Sequence, residues 1–114
     1  MKASELERAT AEFEAKNYGV ARALLMPLAE ADVPEAQCMI GDILHLGLGA
    51  EANAVEAAAW YERAAAQGSA LACNNLWYLY RTALRSLDTD GQKARHWYDE
   101  ARRLGFRHLP SEFY

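Results

Sequence analysis

The sequence predicts an all-α fold, an α-α superhelix of about three antiparallel helix pairs, and three observations lead there. Of the 114 residues, 23 are alanine and 14 leucine, whereas valine, isoleucine and threonine together number eight. Alanine and leucine lose least on entering a helix, and strands are left without the β-branched residues that usually fill them. Second, the chain repeats itself. Ala57, Trp60, Tyr61, Ala64 and Gly68 recur as Ala94, Trp97, Tyr98, Ala101 and Gly105, each displaced by 37 residues, and Ala21, Leu24, Leu25 and Leu28 form a fainter copy displaced by 36. The i, i+3, i+4, i+7 spacing is one face of a helix. Third, another helical pattern lies upstream of each copy: Ala36, Ile40 and Leu44 answer to Ala72, Leu76 and Tyr80, again 36 residues on. Each unit is therefore two helices.

The elements follow in order, at about residues 3–16, 18–31, 34–46, 53–67, 69–86 and 89–104. Ser4 with Glu7 opens the first helix as a capping box, in which a hydroxyl accepts from the third backbone amide and the carboxylate reaches back. Asn17-Tyr18-Gly19 separates the first and second helices. Val33-Pro34 starts the third, because proline suits the first helical turn and restricts the residue before it. Gly47-Leu48-Gly49 stops it, and Asn53 with Glu56 starts the fourth. The fifth begins after Gly68-Ser69. Asp88-Thr89-Asp90-Gly91 breaks the chain again, with Thr89 and Gln92 as the capping pair of the sixth helix. No linker divides residues 1–114, so the pairs at about 3–31, 34–67 and 69–104 and a tail at 105–114 make one domain.

The net charge is −4, with eleven acids and four bases in residues 1–62 against five acids and eight bases in residues 63–114. An overall acidic chain is a poor match for a phosphate backbone, so nucleic acid is not expected as a partner. Arg95, Arg102, Arg103 and Arg107 share their stretch with Asp99 and Glu100, and basic groups near a helix C-terminus suit its dipole. No apolar run reaches the roughly 18 residues of a membrane span, so membrane insertion is not expected and the cytoplasm is the default location. Cys38 and Cys73 lie on first helices of successive units, too far apart for the usual disulfide, and neither has zinc-ligand spacing. No metal or cofactor is implied.

At the Gln67-Gly68-Ser69-Ala70-Leu71-Ala72-Cys73-Asn74-Asn75-Leu76-Trp77-Tyr78-Leu79-Tyr80 junction, in Ile40-Gly41 and Gly47-x-Gly49, and in the recurring Ala-x-x-Trp-Tyr-x-x-Ala-x-x-x-Gly helix, the chain resembles Sel1-like repeats. These belong to the tetratricopeptide-like superfamily, and the likeness covers residues 34–105 well and 3–31 loosely. The resemblance implies a right-handed solenoid whose first helices line a concave, peptide-holding surface. It also implies a non-catalytic protein-interaction module, an adaptor or scaffold in bacterial signalling, envelope or secretion pathways, or a cognate inhibitor of an effector. Two departures stand out. Trp77 occupies the place of the close-approach glycine, and Ala83 that of the first loop glycine, so the second unit is expected to be distorted, with the fifth helix running on toward Leu87. Trp77 is expected to cover the end of the solenoid with help from Phe106, Leu109, Phe113 or Tyr114.

The candidate binding residues lie on the first helices. Asn74, Tyr78, Arg81 and Arg85 fall at i, i+4, i+7 and i+11, away from the apolar line, and the same register gives Cys38, Asp42 and His45 one unit earlier. Asn74 and Asn75 offer donors and acceptors to a partner's backbone, and Arg81 and Arg85 attract acidic groups. Asp42 and His45, one turn apart, form a carboxylate–imidazole pair at acid–base spacing. No phosphate-cradling loop or nucleophile elbow accompanies them. The recurring Trp60-Tyr61 and Trp97-Tyr98 are read as packing between units, because a seam needs its aromatic in every unit. Two rivals to a hetero-partner module remain: a self-associating structural unit joined through its acidic and basic halves, and a β-lactamase-like hydrolase. The latter's cysteine-rich relatives carry a cysteine pair in each unit, which this chain lacks.

Overall fold

A computed structural model describes residues 4–107. Its helices are α1 (Glu5–Glu14), α2 (Tyr18–Glu30), α3 (Pro34–Leu46), α4 (Ala54–Ala66), α5 (Ala70–Arg81) and α6 (Gln92–Arg103), with one short 3-10 turn at Arg85–Leu87. Among the described residues there is no strand. Each helix packs on the next, and α3 also touches α5. The result is a row of hairpins, 47 × 29 × 25 Å, in which first helices stand beside first helices. This is the α-α superhelix that the repeat predicts.

The core follows the repeat register. Ala21 and Ala57, Ala36 and Ala72, and Ile40 and Leu76 are all fully buried at equivalent positions, and so is Tyr61. Alanines let the helices approach, and the larger side chains fill the seams between hairpins. Ser4 accepts from the Glu7 amide at 3.0 Å and Asn53 from the Glu56 amide at 3.0 Å, so two of the three expected caps form. Pro34 stands in the first turn of α3, and Gly47, at φ 67°, ends it in the left-handed region that glycine enters without a Cβ penalty.

Two boundaries differ from expectation. The fifth helix stops at Arg81 rather than near residue 86. Thr82 leaves the helical region at φ −123°, ψ −97°, and its hydroxyl donates to the Tyr78 carbonyl at 2.8 Å. The turn that follows buries Leu84. The sixth helix starts at Gln92, and Thr89 does not cap it. Asp88 does: its two carboxylate oxygens accept from the Lys93 and Ala94 amides, each at 2.8 Å, while Gly91 at φ 72° turns the chain. A buried carboxylate satisfies two orphan amides where a hydroxyl would satisfy one, and its charge meets the positive end of the helix.

Candidate functional site

The first helices α3 and α5 border an open groove of about 490 Å³ lined by Pro34, Glu35, Cys38, Met39, Asp42, Gln67, Gly68, Ser69 and Leu71. The α3 members recur every three or four residues and so form one helical face. The far wall is the junction between α4 and α5. Gly68, at φ 89°, reverses the chain there, and Ser69 accepts from the Ala72 amide at 3.1 Å to start α5. Behind the groove, Gln37 is fully buried and satisfied: its amide donates to the Ala29 carbonyl at 3.0 Å and to Asp32 at 3.1 Å, and its carbonyl accepts from Gln67 at 3.0 Å. Asp32 also holds Arg63 at 2.8 Å. These bonds tie the α2–α3 turn to the end of α4 and fix the groove's wall.

Asp42 is half-buried at the groove's edge, and its Oδ1 accepts from the Tyr61 hydroxyl. Burial raises its pKa above the usual carboxylate value, opposed by that hydrogen bond and by His45. The Tyr61 ring passes under Gly41 so closely that a Cβ there would stand 2.5 Å from Cε1. Gly41 is thus the reason that Tyr61 can reach Asp42 from α4. Burial lowers the His45 pKa, with Asp42 opposing, and its ring lies 5.9 Å from that of Tyr78 across the α3–α5 seam. Burial pushes the Cys38 thiol up to about 11, which keeps it protonated, and its sulfur lies 3.6 Å from the Ser69 hydroxyl.

The residues expected from the sequence divide into three groups. Asp42, His45 and Tyr78 come together on adjacent first helices, with Tyr78 52% exposed. Asn74 and Asn75 are half-buried on α5, and neither side chain has a hydrogen-bond partner among the described residues. Arg81 and Arg85 do not complete the stripe. The Arg81 guanidinium lies 5.1 Å over the Trp77 ring, on the side of α5 that faces α6, and Arg85 sits beyond the end of the helix in the short turn. A stripe at i+11 requires a helix that runs on, and Thr82 ends it. No hydrogen bond or ion pair joins Asp42 and His45 among the described residues, because the carboxylate is turned to Tyr61. Glu35, Met39, Gln67, Ser69 and Leu71 were not singled out from sequence. Their signal is positional: Glu35, Cys38, Met39 and Asp42 hold the register of Leu71, Asn74, Asn75 and Tyr78 one unit later.

The aromatic pairs pack unequally. Tyr61 is fully buried, whereas Trp60, Trp97 and Tyr98 are half-buried, and Tyr98 meets Trp77 edge-on at 5.4 Å. Leu109, Phe113 and Tyr114, which were expected to help Trp77, lie outside the described residues. Cys38 and Cys73 are free and buried. Among the described residues no group of three or more histidine, cysteine or carboxylate side chains could hold a metal ion, and no helix is long and apolar enough to cross a membrane.

With two hairpins in one register and a groove between their first helices, the comparison with known families is decisive. The Sel1 repeat model matches residues 34–69 and again 70–106. The chain belongs to the Sel1 repeat family. No curated protein and no solved structure matches it. The first Sel1 unit comprises α3 and α4, the second α5 and α6, and the pair α1–α2 precedes them. Sel1 repeats form helical solenoids and are in general protein–protein interaction modules.

Proposed function

We propose that this Sel1 protein is a non-catalytic interaction module, an adaptor, scaffold or cognate inhibitor in the cytoplasm, that holds a segment of another protein against α3 and α5. The observation that carries this reading is the groove beside Asp42, preformed by the Gln37 network, so that binding costs little ordering of the module itself. Its contacts extend along α5 through Asn74, Asn75 and Tyr78, with His45 between them. Arg81 and Arg85 form a separate basic margin nearer α6. The non-catalytic reading draws support from the chemistry of the groove: the Cys38 thiol stays protonated, and Asp42 accepts from a core tyrosine rather than from an imidazole.

The test is selection of peptides from a random display library on the immobilised chain. Leu71 is 50% exposed within the groove and Leu87 is 54% exposed outside it. Leu71→Arg is expected to abolish capture of the selected peptides and Leu87→Arg to leave it intact, with the helical circular-dichroism spectrum unchanged in both. Equal capture by both variants would overturn the groove assignment. A second reading, self-association, is favoured by the charge division: the exposed Glu5, Glu7 and Glu14 lie on α1, and the exposed Arg95, Arg102 and Arg103 on α6. Light scattering would then show oligomers that dissociate as salt rises.

A further inference from the structure

The groove carries charge of one sign only. Its lining includes two carboxylates, Glu35 and Asp42, and no lysine, arginine or histidine. They stand seven residues apart on α3, about 10 Å along the helix axis. Between them lie Met39 and Cys38, and the exposed Leu71 faces them from α5. His45, the basic group whose charge acts on Asp42, is muted, because burial lowers its pKa, and Arg63 is paired with Asp32 at 2.8 Å. Asp42 spends Oδ1 on the Tyr61 hydroxyl, and its Oδ2 has no hydrogen-bond partner among the described residues. A half-buried carboxylate with an open lone-pair edge, beside apolar surface, is stabilised by a cation whose stem is itself apolar.

We infer that the occupant of this groove is a basic–apolar segment, with two lysine or arginine side chains about 10 Å apart that pair with Glu35 and Asp42 and an apolar side chain between them that rests on Met39 and Leu71. The inference rests on the groove reading above and adds the chemistry of the partner. It runs opposite to the attraction of acidic groups assigned from sequence to Arg81 and Arg85, which lie outside this groove. The equivalent face of the second unit is Leu71, Asn74, Asn75 and Tyr78 and has no carboxylate, so selection for basic residues is a property of the first unit.

The test is fluorescence anisotropy with short labelled peptides that carry two arginines around a leucine-phenylalanine pair, against the same peptides with glutamate in place of arginine or serine in place of the apolar pair. The arginine peptide is expected to bind, and both replacements to weaken it. Glu35→Gln and Asp42→Asn are each expected to weaken it about tenfold, the worth of one charge-assisted hydrogen bond, with the effect shrinking at high salt. Asparagine still accepts from Tyr61, and Glu35 is exposed, so neither variant is expected to lose its helical signal. Equal binding of arginine and glutamate peptides, or no effect of either variant, overturns the inference. Library peptides that need Leu71 yet are not basic would overturn it while the groove reading survives, whereas peptides indifferent to Leu71 would sink both. If the chain alone forms oligomers that Asp42→Asn dissociates, the occupant is a second copy and the separate basic partner is wrong.

Discussion

In the first Sel1 unit Tyr61 lies fully buried beneath Gly41 and donates to Asp42; in the second, the matching Tyr98 meets the indole edge of Trp77 and stays half-exposed. Both units keep the same helices and the same register. One difference lies at the same place on each first helix: Gly41, without a side chain, lets the Tyr61 ring pass beneath it, whereas the indole of Trp77 packs against Tyr98. The same contrast runs through the polar groups. Gln37 and Gln67 join across the first unit, while their counterparts Cys73 and Leu104 offer no such bond. Cations stack on aromatics in both units, Arg63 over Trp60 in the first and Arg81 over Trp77 and Arg102 over Tyr98 in the second. Two units in one helical register can thus differ, the first closing over a tyrosine and a glutamine pair and the second presenting a half-buried tryptophan–tyrosine pair.

The sharpest way to break that contrast is to truncate the two tyrosines. Tyr61→Ala is expected to cost about 3–5 kcal/mol in urea denaturation, the range for a buried aromatic, and Tyr98→Ala about half of that or less. Equal losses would mean that the two seams are equally tight. Gly41→Ala should cost about 1–3 kcal/mol, because the Tyr61 ring beneath it is enclosed and cannot retreat, even though alanine is the better helix former.

The next test concerns the loop that replaces Gly47-x-Gly49 in the second unit. Asp88→Ala removes the acceptor of two amides at the start of α6 and should cost about 1–2 kcal/mol, while Thr89→Ala should stay within about 0.5 kcal/mol. Losses in the reverse order would restore Thr89 as the cap.

The smallest expected effect is a pH dependence at Asp42 of the first unit. Burial raises the folded pKa of Asp42 above its unfolded value, so the folded state binds the proton more tightly. This contribution to stability is complete below the unfolded pKa and is lost as pH rises through the folded one. Wild type should therefore lose stability relative to Asp42→Asn as the pH is raised from acid toward neutral, read as a difference in thermal midpoints. Tyr78 holds the equivalent place in the second unit. A flat difference between the two proteins would show that Asp42 is as well solvated folded as unfolded.

Sequence by itself determined the helix pairs, their register, two of the caps and the alanine-lined core, because periodicity and capping are local properties that each helix carries before it meets another. The placement of Asp42, His45 and Tyr78 on neighbouring first helices was also legible, since repeat offsets convert into adjacency once units stack. Only the tertiary structure decided that α5 ends at Arg81, and so removed Arg85 from the stripe. It alone turned Asp42 toward Tyr61 instead of His45 and chose Asp88 over Thr89 as a cap. The turn of Asp42 toward Tyr61 sets a local pairing against a bond supplied by another helix, and that competition is settled only when the helices pack.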